Sequence, residues 1–138
     1  MSTLRVDNLN ARTGSTITVP TGTKLYAPGH VIQVVQASTT SVVTTTSSSL
    51  SSTGFSCSIT PTTATSKILV MMNASLAVAT AKGCGLAIYR GASQIYYDGT
   101  NYGAAYFNFA SNWRLKVPII YLDSPATTSV TTYTLYFN

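Results

Sequence analysis

Ser66-Lys67-Ile68-Leu69-Val70-Met71-Met72-Asn73-Ala74-Ser75-Leu76-Ala77-Val78-Ala79 decides the fold class. Taken two residues at a time, Ile68, Val70, Met72, Ala74, Leu76 and Val78 fall on one face. Lys67, Asn73 and Ser75 fall on the other, mixed with Leu69 and Met71. Apolar residues every second position describe a strand with one face in a core. The other face is polar at one end and apolar at the other. Such an outer patch packs against something more, often another subunit.

Working outward, the rest of the chain repeats this signal. Thr, Val, Ile and Tyr alternate and are punctuated by Gly, Pro, Asn and Ser, whereas no long stretch carries the 3-and-4 spacing of a helix. The pattern predicts strands at 15–19, 30–37, 40–46, 55–60, 66–79, 84–90, 93–97, 104–110, 113–122 and 128–137. Arg90-Gly91-Ala92-Ser93 reads as a hairpin turn in which Gly91 takes a positive φ. Asp123-Ser124-Pro125-Ala126 reads as a second turn, with Asp123 and Ser124 bonding their own backbone. Many short antiparallel strands at regular spacing predict an all-β antiparallel sandwich or jelly-roll-like knob, of eight strands or so.

Residues 1–29 differ. They are polar, hold Pro20 and Pro28, and have little apolar material to bury. The expectation is an extended N-terminal arm that orders by pairing with another chain or a larger surface, followed by a knob at 30–138. Ser38 to Thr53 is nearly all Ser, Thr and Val. It suits either a linker or an exposed edge strand, and the β-branched content favours the strand.

The chain has 138 residues, enough for one domain and a short arm. Charged residues make up 8%, against about 25% in an average soluble domain. Ser and Thr fill the gap, with 17 and 23 residues. Glu is absent, the acids are Asp7, Asp98 and Asp123, and the sole His is His30. That inventory is poor for acid–base catalysis and for metal binding, so the expectation is a non-enzyme with no catalytic residues, metal or cofactor. Nothing like a GxSxG nucleophile turn occurs. The net charge of +5 comes from few acids rather than from basic clusters, and only Arg114 and Lys116 share a strand face. No nucleic-acid partner is expected. The longest apolar run, Ile68 to Met72, is far short of the roughly 20 residues that span a bilayer, so no membrane insertion is expected either. Cys57 and Cys84 would pair only on neighbouring strands; two small buried apolar side chains are the preferred reading.

The chemically richest stretch is 96–113. Tyr96, Tyr97, Asn101, Tyr102 and Trp113 combine aromatic faces with an amide, as adaptable binding loops do, and suit sugar rings. They are the candidates for surface recognition. The competing reading is that such aromatics fill a core or a subunit contact.

Two sets of residues resemble a known family. Met1-Ser2-Thr3-Leu4-Arg5-Val6-Asp7-Asn8-Leu9-Asn10, then Ser15-Thr16-Ile17-Thr18-Val19-Pro20, resemble the start of small fibre and knob proteins of marine tailed phages, cyanophages especially. Thr60-Pro61, Ser66-Lys67-Ile68-Leu69-Val70, Tyr89-Arg90-Gly91 and Tyr121-Leu122-Asp123-Ser124-Pro125 resemble their β-domain. The resemblance implies a virion structural protein on the particle surface. Its first residues attach it to other virion proteins, with Leu4, Arg5, Val6, Leu9, Ile17 and Val19 as the candidate attachment positions. It also implies a homo-oligomer, a trimer by preference, and transfers no catalytic residue. An oligomer contact is expected at Leu69, Met71 and the 104–110 strand. Without a shaft between arm and knob, decoration of the head is favoured over a short tail fibre that binds host polysaccharide. A free lectin and a small hydrolase are the remaining readings, disfavoured by the arm and by the composition.

Overall fold

Seven strands and no helix form among the residues described by the computed structural model, which are 29–78, 83–96, 105–108 and 113–138. The strands are β1 (Ser51–Ile59), β2 (Ile68–Val78), β3 (Gly83–Arg90), β4 (Ser93–Tyr96), β5 (Ala105–Asn108), β6 (Trp113–Asp123) and β7 (Thr131–Phe137). All pairings among the described residues are antiparallel, and the described fold is all-β.

The strands form two sheets. In the larger, β1 pairs β7 and β7 pairs β3. The other side of β3 is shared: β5 takes its first half, Gly83 to Leu86, and β4 its second, Ile88 to Arg90. β3 is thus the central strand. Its run Cys84-Gly85-Leu86-Ala87-Ile88 is buried on both faces. The smaller sheet is β2 and β6 alone, in unbroken register from Ile68 opposite Asp123 to Val78 opposite Trp113. Pro118 fits β6 because a strand with one neighbour has a free edge for a residue lacking an N–H.

One apolar cluster joins the two sheets. Ile68 and Ala74 of β2 and Val117 and Ile119 of β6 pack with Leu86 and Ile88 of β3 and Tyr133 and Leu135 of β7. Val70, Met72 and Leu76 complete the inward face of β2. The face read from the 66–79 alternation is therefore the face that is buried. Gly91 takes φ 57° in the β3–β4 turn, as expected, and its N–H donates to the Thr132 carbonyl. Gly54, at φ 73°, sits in a bulge where β1 slips against β7 between Ser52 and Ser56.

The expected strands at 30–37 and 40–46 do not form; residues 29–50 contain no strand, and the Ser/Thr-rich edge strand is real only from Ser51. Two causes are visible. First, the hydroxyls bond locally: Ser41 N–H donates to Thr39 Oγ1, Ser47 N–H to Thr45 Oγ1 and Ser49 N–H to Ser47 Oγ. These turns compete with a strand ladder. Second, Val31, Val34 and Val42 are 74%, 82% and 88% exposed, so no face is buried. The 15–19 strand and the arm up to residue 28 lie outside the described residues. Val35–Asn138 forms one compact unit that contains all seven strands; of the other unit, Met1–Val34, residues 29–34 are described and exposed.

Candidate functional site

Strand alternation places three polar side chains at one end of the core. Asp123 is the last residue of β6 and points inward. Arg90 ends β3, and Tyr133 lies directly across from it on β7. Arg90 Nη1 donates to both Asp123 oxygens at 2.8 Å, and Tyr133 Oη donates to Asp123 Oδ2 at 2.6 Å. Asp123 is 5% exposed and Tyr133 4%. Burial, the hydrogen bond to Asp123 and the Asp123 charge push the Tyr133 phenol well above its ordinary value, with Arg90 opposing. A buried carboxylate is tolerable only when paired and hydrogen-bonded, and this one is both. The triad ties the β2–β6 sheet to the larger sheet. Asp123 is thus a tertiary clamp; its expected role as a turn residue bonding its own backbone is corrected. Its partners lie 33 and 10 residues away in sequence. Arg90 and Asp123 come from two of the motifs that carry the resemblance.

The outward face of β2–β6 is the second feature. Cross-strand register sets Leu69 opposite Leu122 and Met71 opposite Ile120. These four are 56%, 54%, 70% and 60% exposed, a contiguous apolar tetrad on an open sheet face. Farther along the same face come Asn73 opposite Pro118, Ser75 opposite Lys116 and Ala77 opposite Arg114. Lys67, exposed just before β2, precedes the tetrad at its other end. Among the described residues the cations are Lys67, Arg90, Arg114 and Lys116 and the only acid is Asp123, so the charge not neutralised by the clamp lies on this face.

The sequence candidates are dispersed. Tyr96, on β4, is half-buried against the core and stacks on Tyr121 with ring centroids 4.9 Å apart. Trp113 opens β6 and is 56% exposed. Tyr97, Asn101 and Tyr102, and the arm residues Leu4, Arg5, Val6, Leu9, Ile17 and Val19, lie outside the described residues. Leu69 and Met71 are outward as expected, but the strand expected beside them, 104–110, is β5 on the edge of the other sheet. Their actual neighbours are Ile120 and Leu122. The alternation that fixed β2 would have found these two if carried along 113–122 as well. The sequence pattern does not single out a further pair: Tyr89 and Tyr136 stack with centroids 3.8 Å apart, and Tyr89 Oη donates to Gln94 Oε1.

Cys57 on β1 and Cys84 on β3 are both free, with β7 lying between their strands. Cys84 is buried, and burial pushes its thiol up. Among the described residues no three of His, Cys, Asp and Glu gather as a metal site would require. No protein family, no curated protein and no solved structure matches the chain.

Proposed function

We propose that this chain is a non-enzymatic structural protein of a phage virion, a surface knob decorating the head. In this reading the two sheets are the halves of a β-sandwich, and residues 1–29 hold the knob to other virion proteins. The observation that carries it is the open apolar face of β2–β6 on a unit whose described carboxylate is spent on the framework. A site for a small molecule is concave, with a few convergent polar groups. An apolar tetrad on an open sheet face suits a large partner instead. The virion assignment itself rests on the resemblance of the N-terminal stretch and the β-domain motifs.

Digestion and mass sequencing of purified particles tests the reading: peptides of this chain are expected, and their absence overturns it. A chain starting at His30 should fold but fail to join particles. Wild-type occupancy by that shortened chain would move the anchor into the knob.

One observation favours a second reading, a short tail fibre acting as a receptor-binding adhesin for host polysaccharide. Trp113 exposes an aromatic ring at the border of the Tyr-rich 96–113 stretch, and sugars stack on such rings. Deleting the gene separates the two. Near-normal plaques are expected of a head decoration, and an adsorption defect of a fibre.

A further inference from the structure

We propose that residues 31–37 are a proteolytic release site, recognised by an endopeptidase that selects small aliphatic side chains. The cut leaves all seven strands on one product. This goes beyond the virion reading and holds whether or not the chain sits on a particle.

Three observations coincide in this stretch. The boundary between the two compact units of the chain falls between Val34 and Val35. Such boundaries lie in exposed linkers, and exposed linkers are where chains are nicked. Val31 and Val34 are 74% and 82% exposed, and Ile32 and Val35 are exposed beside them. Among the described residues no hydrogen bond, from backbone or side chain, involves residues 31–37. An endopeptidase holds its substrate as an added strand, through backbone N–H and C=O groups and pockets for alternate side chains. Both are open here, with no ladder to break first.

Other exposed positions of the same chemistry are closed. Val130 is exposed, but Thr131 after it opens β7 and is buried. The turn before β2 is tied to itself: Ser66 N–H donates to the Thr63 carbonyl and Thr63 N–H to Ser66 Oγ. Val42 is exposed, but it lies between the hydroxyl turns at 39–41 and 45–47, which curl the chain on either side of it.

Sequence then selects the enzyme class. No Lys or Arg lies between Lys24 and Lys67, no aromatic residue between Tyr26 and Phe55, and no acid between Asp7 and Asp98. Endopeptidases directed to basic, aromatic or acidic side chains find nothing in the linker. Val, Ile and Ala remain, and a small specificity pocket of the elastase type takes such side chains. Water adds across the amide joining Val34 to Val35, leaving a carboxylate on Val34 and an amine on Val35. The product that begins at Val35 keeps every described strand, the clamp and the apolar cluster. Where residues 1–29 hold the knob to a larger surface, this cut frees it.

Brief digestion of the full chain with pancreatic elastase, followed by mass analysis of the fragments, tests the proposal. The first cut is expected within 31–37, about tenfold or more ahead of any cut after residue 50. The larger fragment should keep a β-type circular dichroism spectrum. Val34→Asp with Val35→Asp should slow cutting of 31–37 about tenfold, because a small apolar pocket rejects a carboxylate. Val35→Arg should open the same place to trypsin, which separates accessibility from the choice of side chain. A first cut outside 31–37, an uncut chain, a fragment without the β spectrum, or trypsin resistance of the Val35→Arg chain at that position would each overturn the proposal. Absence of the chain from virions would sink the preceding reading and leave this one standing.

Discussion

Residues 29–50 and β2 draw on the same apolar β-formers, and only β2 becomes a strand. Val31-Ile32-Gln33-Val34-Val35-Gln36 is as β-prone by composition as Ile68-Leu69-Val70-Met71-Met72. Its polar residues, however, recur every third position, so extending it would scatter Val and Gln over both faces. In β2 the even positions are uninterruptedly apolar, and those from Ile68 to Leu76 enter one core. Hydrogen bonding differs in the same sense. Hydroxyls of 39–49 bond to backbone two residues away, whereas Asp123 bonds to Arg90 and Tyr133 on other strands. Strand propensity is permissive; one-sided burial and a partner strand decide.

The largest contrast should appear on substituting equivalent residues. Ile119→Ala, at a β6 position 5% exposed, should cost about 4 kcal/mol in urea unfolding through lost burial and the cavity it leaves. A cost below about 1 kcal/mol would mean that β6 does not face the core. Next comes the clamp. Asp123→Ala leaves Arg90 without its carboxylate and Tyr133 Oη without its acceptor, and should cost about 3 kcal/mol in the same measurement. A turn residue would lose far less.

A smaller effect follows from Tyr133. Its phenol is held neutral in the folded state above the ordinary value of 10.0. Above that pH the unfolded chain releases a proton that the native chain keeps, so the unfolded state binds fewer protons and stability falls as pH rises. The slope contributed is at most about 1.4 kcal/mol per pH unit. Below pH 10 this contribution is constant. Tyr133→Phe should be less stable at neutral pH and show a shallower decline from pH 10 to 11. Parallel profiles would remove Tyr133 from the clamp. The smallest effect belongs to the strandless segment. Ile32→Ala, at 65% exposure, should shift stability by no more than about 0.5 kcal/mol. A loss like that of Ile119→Ala would place Ile32 in a core.

Strand existence was legible wherever a period of two ran through apolar residues. The boundaries of β2, β3, β4 and β6 fall within two residues of expectation. At 30–37 and 40–46 the β-branched content signals strands, but its spacing leaves no single face to bury, and no strand forms. The outer apolar patch was half legible. Leu69 and Met71 stood out within one strand, but Ile120 and Leu122 needed the β2–β6 register, which sequence proximity does not give: β2 pairs across three intervening strands. The clamp was illegible for a related reason. Asp-Ser-Pro is a strong turn signal, and nothing local reveals that the carboxylate at its head turns inward to an arginine of the other sheet.

Amide hydrogen exchange tests the central contrast most directly. In a two-stranded antiparallel ladder every second N–H faces the partner strand and the others face outward. The account predicts protection at alternate residues through Ile68–Val78 and Trp113–Asp123, nearly continuous protection along the central strand β3, and exchange near the free-chain rate through 30–50. Protection across 30–46 equal to that of β2, or an unprotected β2, would contradict it.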